Sequence, residues 1–257
     1  MRVTILGCGP SWGVPRIGGD WGQCDPANPR NRRRRAGLLV EENGATLLID
    51  TPPDLREALI ACDVKRIDAV IFTHAHADHI HGIDDLRVPS WTLGRPIPAF
   101  GSAATFKSLR ERFNYTIEGV RDPKASGYYY QPLLEAHEVD GDFTAAGIAV
   151  RSFRQTHGRT ASLGLRIGPL GYCTDVKALD EAAFAALAGV ELFIVDCLRR
   201  EKHPTHSHLA QSLAWIARVG PRRAVLTHMD ESFDYAALAA ELSAGIEPAY
   251  DGMVMEL

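Results

Sequence analysis

Thr73-His74-Ala75-His76-Ala77-Asp78-His79 is the stretch on which the reading of this chain turns. It follows Ala69-Val70-Ile71-Phe72, an apolar run with the composition of a strand buried on both faces. Small alanines at 75 and 77 separate the polar side chains. The pattern reads as a strand-to-helix loop that fans three imidazoles and a carboxylate into one cavity. Imidazole nitrogen and carboxylate oxygen suit zinc or manganese, and alternate spacing lets one short loop serve two ions. The plain alternative is a solvated loop rich in histidine by chance, for which H-x-H-x-D-H is a demanding pattern.

Outward from that loop, short apolar runs recur at Val3 to Leu6, Leu38 to Val40, Leu47 to Ile49, Ile148 to Phe153, Leu163 to Ile167, Leu192 to Val195 and Ala224 to Leu226. Helix-period stretches lie between them, at Asp54 to Cys62, Thr105 to Arg112, Leu179 to Leu187, Leu209 to Val219 and Tyr235 to Leu242. Strands cluster in a first and a second half, each followed by helices. That predicts an α/β protein of four layers, αββα, with two sheets packed together and helices outside. With no repeats or linker-like segments, residues 1–257 read as one domain. Tyr115 to Tyr130, with Gly, Pro and a Tyr128-Tyr129-Tyr130 run, reads as a loop over the site.

Composition narrows the classes. Hydrophobic residues at 46% and charged residues at 23% are ordinary soluble-globular values. No apolar run approaches the ~20 residues that cross a bilayer. Met1-Arg2-Val3-Thr4-Ile5-Leu6 enters a strand pattern directly, without a signal peptide's apolar region, so the expected address is the cytoplasm. Five cysteines form no C-x-x-C pair, which suits a reducing compartment. A net charge of −4 argues against a protein that coats nucleic acid and leaves room for a local basic pocket.

H-x-H-x-D-H after a buried strand resembles the signature of the metallo-β-lactamase superfamily, whose fold is the same four-layer sandwich of two mixed sheets flanked by helices. Members add a later histidine, an aspartate and a final histidine. Here His157 lies in Gln155-Thr156-His157-Gly158, Asp175 follows Gly171-Tyr172-Cys173-Thr174, and His228 follows Ala224-Val225-Leu226-Thr227. The resemblance implies two divalent ions, Zn²⁺ or Mn²⁺. One would take His74, His76 and His157, the other Asp78, His79 and His228, with Asp175 bridging. A shared hydroxide would then be the nucleophile, and Asp78 would count as catalytic. Asp50, after Leu47-Leu48-Ile49, matches an aspartate that orients the ligand loop by hydrogen bonds, and Asp196 is expected to act similarly or as a structural cap.

More finely, the chain resembles the phosphodiesterase branch, which includes ribonuclease Z and the phosphoribosyl cyclic phosphodiesterases. The resemblance rests on the opening turn Leu6-Gly7-Cys8-Gly9-Pro10-Ser11-Trp12-Gly13-Val14-Pro15, on Pro204-Thr205-His206-Ser207-His208-Leu209, and on the ending Tyr250-Asp251-Gly252-Met253. It implies that His206 is the general acid for a leaving alkoxide, with His208 a lesser candidate beside the substrate. Arg30 and Arg32 to Arg35 read either as a solvated charge run or as a source of phosphate contacts, with Arg34 and Arg35 the candidates.

Two departures bear on the substrate. Cyclic phosphodiesterases of this branch carry an early cysteine cluster that binds a structural zinc together with a histidine three residues after the last ligand. Here the segment holds Cys24 alone and the later position is Glu231, so no structural zinc is expected. The long Gly- and Pro-rich arm with which ribonuclease Z grips transfer RNA is also missing from the pattern.

The expected function is hydrolysis of a small phosphodiester, a cyclic phosphate of a ribose or nucleotide. The alternatives are a ribonuclease Z-like RNA endonuclease and a metal-stabilised RNA-binding protein without turnover; β-lactamase and glyoxalase II chemistry fit less well. Extended nucleic acid and membranes are not expected partners, and the resemblance allows a homodimer.

Overall fold

The structure is a computed structural model that describes residues 1–119 and 131–257. Its first sheet contains β1 (Arg2–Gly7), β2 (Gly37–Glu42), β3 (Ala45–Ile49), β4 (Ala69–Ile71), β5 (Ile97–Gly101), β6 (Leu134–Glu138) and the late strand β14 (Val254–Glu256), in the order β14-β1-β2-β3-β4-β5-β6. The second contains β7 (Asp142–Ala145), β8 (Ile148–His157), β9 (Thr160–Ile167), β10 (Leu170–Cys173), β11 (Leu192–Asp196), β12 (Arg223–Thr227) and β13 (Ile246–Pro248), in the order β13-β12-β11-β10-β9-β8-β7.

Both sheets follow one plan. Antiparallel pairs run from β14 to β3 and parallel pairs from β3 to β6; antiparallel pairs run from β7 to β10 and parallel pairs from β10 to β13. The parallel halves need crossover helices, and their loops gather at the carboxyl ends of the strands. Asp50 and Asp175 come from corresponding places, each just beyond the first strand of a parallel half. Each has left-handed backbone, with φ of 64° and 52°, as does His228 at 59°.

Alternation explains why the strands look uniformly apolar. Leu47 and Ile49 of β3 join the core between the sheets, with Val150, Leu165 and Ile194 from the second sheet. Leu48 points the other way, joining Val70, Phe72 and Phe106 under the outer helices. Those helices are α1 (Leu55–Ala61), α2 (Ala77–Ile80), α3 (Arg87–Leu93) and α4 (Ala103–Glu118). On the second sheet lie α5 (Glu181–Leu187), α6 (Leu209–Val219) and α7 (Tyr235–Glu241). Ser102, Asp180 and Asp234 cap α4, α5 and α7 through their side-chain oxygens. No helix among the described residues is long and apolar enough to cross a membrane.

The four-layer αββα expectation holds. The expected loop from Tyr115 gives way to helix, because α4 runs on to Glu118 and Tyr115 donates its hydroxyl to Asp84 at 2.6 Å. The remainder of that segment, 120–130, lies outside the described residues.

Candidate metal centre

Asp50 sets the ligand loop. One carboxylate oxygen accepts the Thr73 backbone N–H at 2.7 Å; the other accepts the Thr73 hydroxyl and His79 Nδ1, both at 2.7 Å. The Thr73 hydroxyl has spent its proton on Asp50, so it accepts from His74 Nδ1 at 3.1 Å. Both histidines thereby turn Nε2 toward Asp175. Burial raises the Asp50 carboxyl above its ordinary range, with His79 opposing the shift.

His74, His76 and His157 converge with Asp175 into one group of donor atoms, and Asp78, His79 and His228 converge with the same Asp175 into a second, all within 4.8 Å of one another in each group. Asp175 Oδ1 lies 3.8 Å from His74 Nε2 and 3.6 Å from His157 Nε2. Its Oδ2 lies 3.0 Å from His79 Nε2 and 3.4 Å from His228 Nε2. The aspartate therefore presents one oxygen to each group. His157 Nδ1 donates to the Thr205 carbonyl at 2.9 Å, which turns its Nε2 inward.

These residues fit divalent ions. Nε2 of His74, His79 and His228 are buried without a hydrogen-bond partner, an arrangement that costs stability unless something else meets the lone pairs. Donors on a tetrahedral ion at ~2.1 Å stand about 3.4 Å apart, close to the 3.0–3.8 Å separations around Asp175. The chemistry is N/O, as zinc and manganese accept.

The two groups differ electrostatically. Burial lowers the pKa of His74, His76 and His157, which favours neutral imidazoles on that side. On the other side burial also disfavours charge, but Asp175 and Asp78 outweigh it, raising His79 well above its usual value and His228 to about 9. Asp175 stays ionised far below the usual carboxylate range: burial opposes this, and His228 and His79 overcome it. Asp78 is likewise held ionised, mainly by His79 against the effect of burial. Metal entering that side must displace protons.

His206 lies at the edge of the cluster, its ring 4.8 Å from His157 and 4.7 Å from His228. Its Nδ1 is 3.2 Å from Asp196 Oδ2, and its Nε2 is 3.9 Å from Asp175 Oδ1. Asp196 is fully buried and also accepts the backbone N–H groups of Ser207 and Val176. His208 does not join the cluster; its Nδ1 faces Gln211 Oε1 at 3.2 Å, at the start of α6. His203 was missed in the sequence. Its ring stands 5.3 Å from His206 and its Nδ1 accepts from Thr205. A third imidazole next to Pro204-Thr205-His206 was the available signal.

The arginine run is not one solvated stretch. Arg33 is 2% exposed and donates to the Asp230 and Phe233 carbonyls, with Cys24 Sγ 3.7 Å away. It fastens the segment after His228 to the segment around Cys24. Arg34 faces Asp251 at 3.9 Å and Arg35 is bound to Asp54 at 3.0 Å, so both have protein partners. Arg32 lies over Trp21, and Arg30 over Tyr235 and Tyr250. Glu231 accepts from Trp12 at 2.8 Å and pairs with Arg16 at 3.1 Å. The opening turn abuts the centre, where the Cys8 carbonyl accepts the Met229 N–H at 2.9 Å.

Comparison with known proteins agrees with this geometry. A beta-lactamase superfamily domain matches residues 45–229. The crystal structure of a diphosphatase from the PhnP family superposes with a TM-score of 0.90 at 33% identity, over 100% of this chain and 97% of that one. A ribonuclease Z of Mycobacterium marinum is 28% identical, over 89% of this chain and 86% of its own length. An octanoyltransferase of Porphyromonas gingivalis is 32% identical over 98% of this chain, which spans only 51% of that protein's length.

Proposed function

The chain belongs to the metallo-β-lactamase superfamily, in its phosphodiesterase branch, and on that premise we propose that it is a metal-dependent phosphodiesterase, working as a single domain on a compact diester such as a cyclic phosphate of a ribose or nucleotide. The observation that carries this reading is Asp175, with one oxygen toward each group of donors. His74, His76 and His157 would hold one zinc or manganese ion, Asp78, His79 and His228 the other, with Asp175 shared. Ions bound there supply Lewis acidity and a hydroxide nucleophile at neutral pH.

The remaining chemistry falls to the chain. Asp50 keeps the imidazoles of His74 and His79 turned inward. Asp196 holds His206 by Nδ1, so its Nε2 can carry a proton to the departing alkoxide, a poor leaving group without one. The ribonuclease Z relative supports a second reading, an RNA endonuclease with the same machinery. The octanoyltransferase name belongs to a protein of which this chain matches half, and the cluster of imidazoles and carboxylates supports hydrolysis instead.

The test compares kcat/KM for a nucleoside 2′,3′-cyclic phosphate with that for a precursor transfer RNA, before and after chelation. Chelator-sensitive turnover favouring the cyclic phosphate is expected. Faster cleavage of the RNA would transfer the assignment to the second reading.

A further inference from the structure

Beside the metal centre lies a cavity of about 780 Å³. His74 and His76 line it, and the start of α4 and the β8–β9 pair form its walls. The rings nearest His206 belong to His157, His203 and His228, and none of these three lines the cavity. It therefore opens on the flank of the centre away from the proton donor. In an acyclic diester the leaving group departs beside His206, so a group in this cavity is one that stays on the phosphorus. In a cyclic phosphate one sugar carries both ester oxygens, and the cavity takes what that sugar bears.

The lining describes that group. A ribose ring alone would leave most of the volume empty, since pockets of ~300–1,000 Å³ enclose drug-sized ligands. Ala75, Ala103, Ala104 and Leu163 supply apolar wall, and Ser108, Arg112, Glu138, Asp140 and Arg154 also line the cavity, with both signs of charge for heteroatoms. Half-buried Phe153 gives a flat surface. It pairs across the strands with Gly164, and a Cβ on Gly164 would come within 2.2 Å of Phe153 Cε2. The ring thus lies directly over the glycine, in space that any side chain at position 164 would occupy. An aromatic face beside small apolar residues, with hydroxyl and charged groups around it, suits a heteroaromatic base, whose edge carries donors and acceptors.

We propose that this cavity is the subsite for the retained substituent of the diester and that it takes a nucleoside, with the base stacked on Phe153. The proposal rests on the phosphodiesterase reading and narrows its substrate class.

Three esters with a common leaving group test it: the p-nitrophenyl diesters of methyl phosphate, octyl phosphate and thymidine 5′-phosphate. In each, a hydroxide oxygen bonds to phosphorus, the P–O(aryl) bond breaks and p-nitrophenolate departs with the electron pair. The thymidine ester should exceed the methyl ester in kcat/KM by about ten-fold or more. Phe153→Leu, and separately Ala104→Leu, should each cut that ratio several-fold. Position 104 is solvent-exposed, so the second substitution spares the core. Calorimetric titration with thymidine 5′-monophosphate should weaken in the same two variants.

Equal rates on the methyl and thymidine esters, or a ratio that neither variant moves, would overturn the subsite while leaving the phosphodiesterase reading intact. A larger advantage for the octyl ester would overturn the nucleoside assignment. Absence of turnover on all three would overturn both readings together.

Discussion

Gly158 lies against Thr205: a Cβ at position 158 would come within 2.5 Å of the Thr205 Cγ2 methyl. The same threonine receives His157 Nδ1 on its carbonyl and precedes His206. One close approach thus joins a metal-ligand candidate to the proposed proton donor.

Gly158→Ala should therefore injure chemistry more than stability. The glycine has φ of 62°, where alanine costs of order 1 kcal/mol, and the added methyl displaces Thr205. A fall in kcat of roughly ten-fold or more is expected, with metal content nearly retained. Activity within two-fold of the parent would show that the His203–His206 segment is not held by this contact.

His206→Ala should lose ~10²–10⁴-fold in kcat on an alkyl diester while keeping its metals. The loss should shrink on p-nitrophenyl esters, whose leaving group scarcely needs protonation. Asp196→Asn should follow the same pattern at smaller size, because it removes the charge that supports His206 Nδ1. Equal losses on activated and unactivated esters would instead make His206 a phosphate-positioning group.

Metal analysis tests the shared aspartate. Asp175→Ala should lower the content of both ions, whereas His157→Ala should deplete chiefly one. Chelation of the parent should lower Tm, since unpartnered Nε2 atoms and buried carboxylates are left behind. Full occupancy in Asp175→Ala would remove that residue from the ligand set.

Arg33→Met should destabilise the fold by about 2–4 kcal/mol in urea denaturation, because the Asp230 and Phe233 carbonyls lose their donor. Cys24→Ser should leave metal content unchanged. Loss of one equivalent of metal in that variant would reveal a structural site there.

Asp251 gives a pH signature. It is largely buried, accepts the backbone N–H groups of Cys8 and Arg34, and is raised by burial from 3.8 to about 6. The folded value exceeds the unfolded one, so protonated Asp251 favours the fold. That contribution is complete below pH ~4 and is lost as pH rises through about 6, amounting to roughly 3 kcal/mol. Asp251→Asn should flatten stability over this window. An unchanged pH profile would locate the titration elsewhere.

How much of this was readable in advance follows from burial and locality. Strands β3, β4, β11 and β12 are apolar on both faces, so their sequences show unbroken runs. β5 hides behind Pro98, β6 carries Glu135 and Glu138, and β13 and β14 are only three residues long. The His74–His79 loop was legible because its donors are adjacent in the chain. His157, Asp175 and His228 are not, and needed a family resemblance to be gathered. Arg33 misled because a charge run looks solvated, and its carbonyl partners at 230 and 233 are distant in sequence.

The left-handed backbone at Asp50, Asp175 and His228 has a consequence for anyone reshaping this protein. Each position holds a conformation that glycine adopts freely and that costs other residues of order 1 kcal/mol. Backbone relief alone would favour glycine at all three, yet the exchange would cost more than it returned. Without Asp50 the Thr73 N–H, the Thr73 hydroxyl and His79 Nδ1 lose their acceptor, and without Asp175 or His228 the buried groups around them lose their partners. A redesign guided by dihedral angles alone would lose scaffold and centre together. Engineering campaigns on this fold should therefore hold those positions fixed, or screen turnover alongside melting in every round.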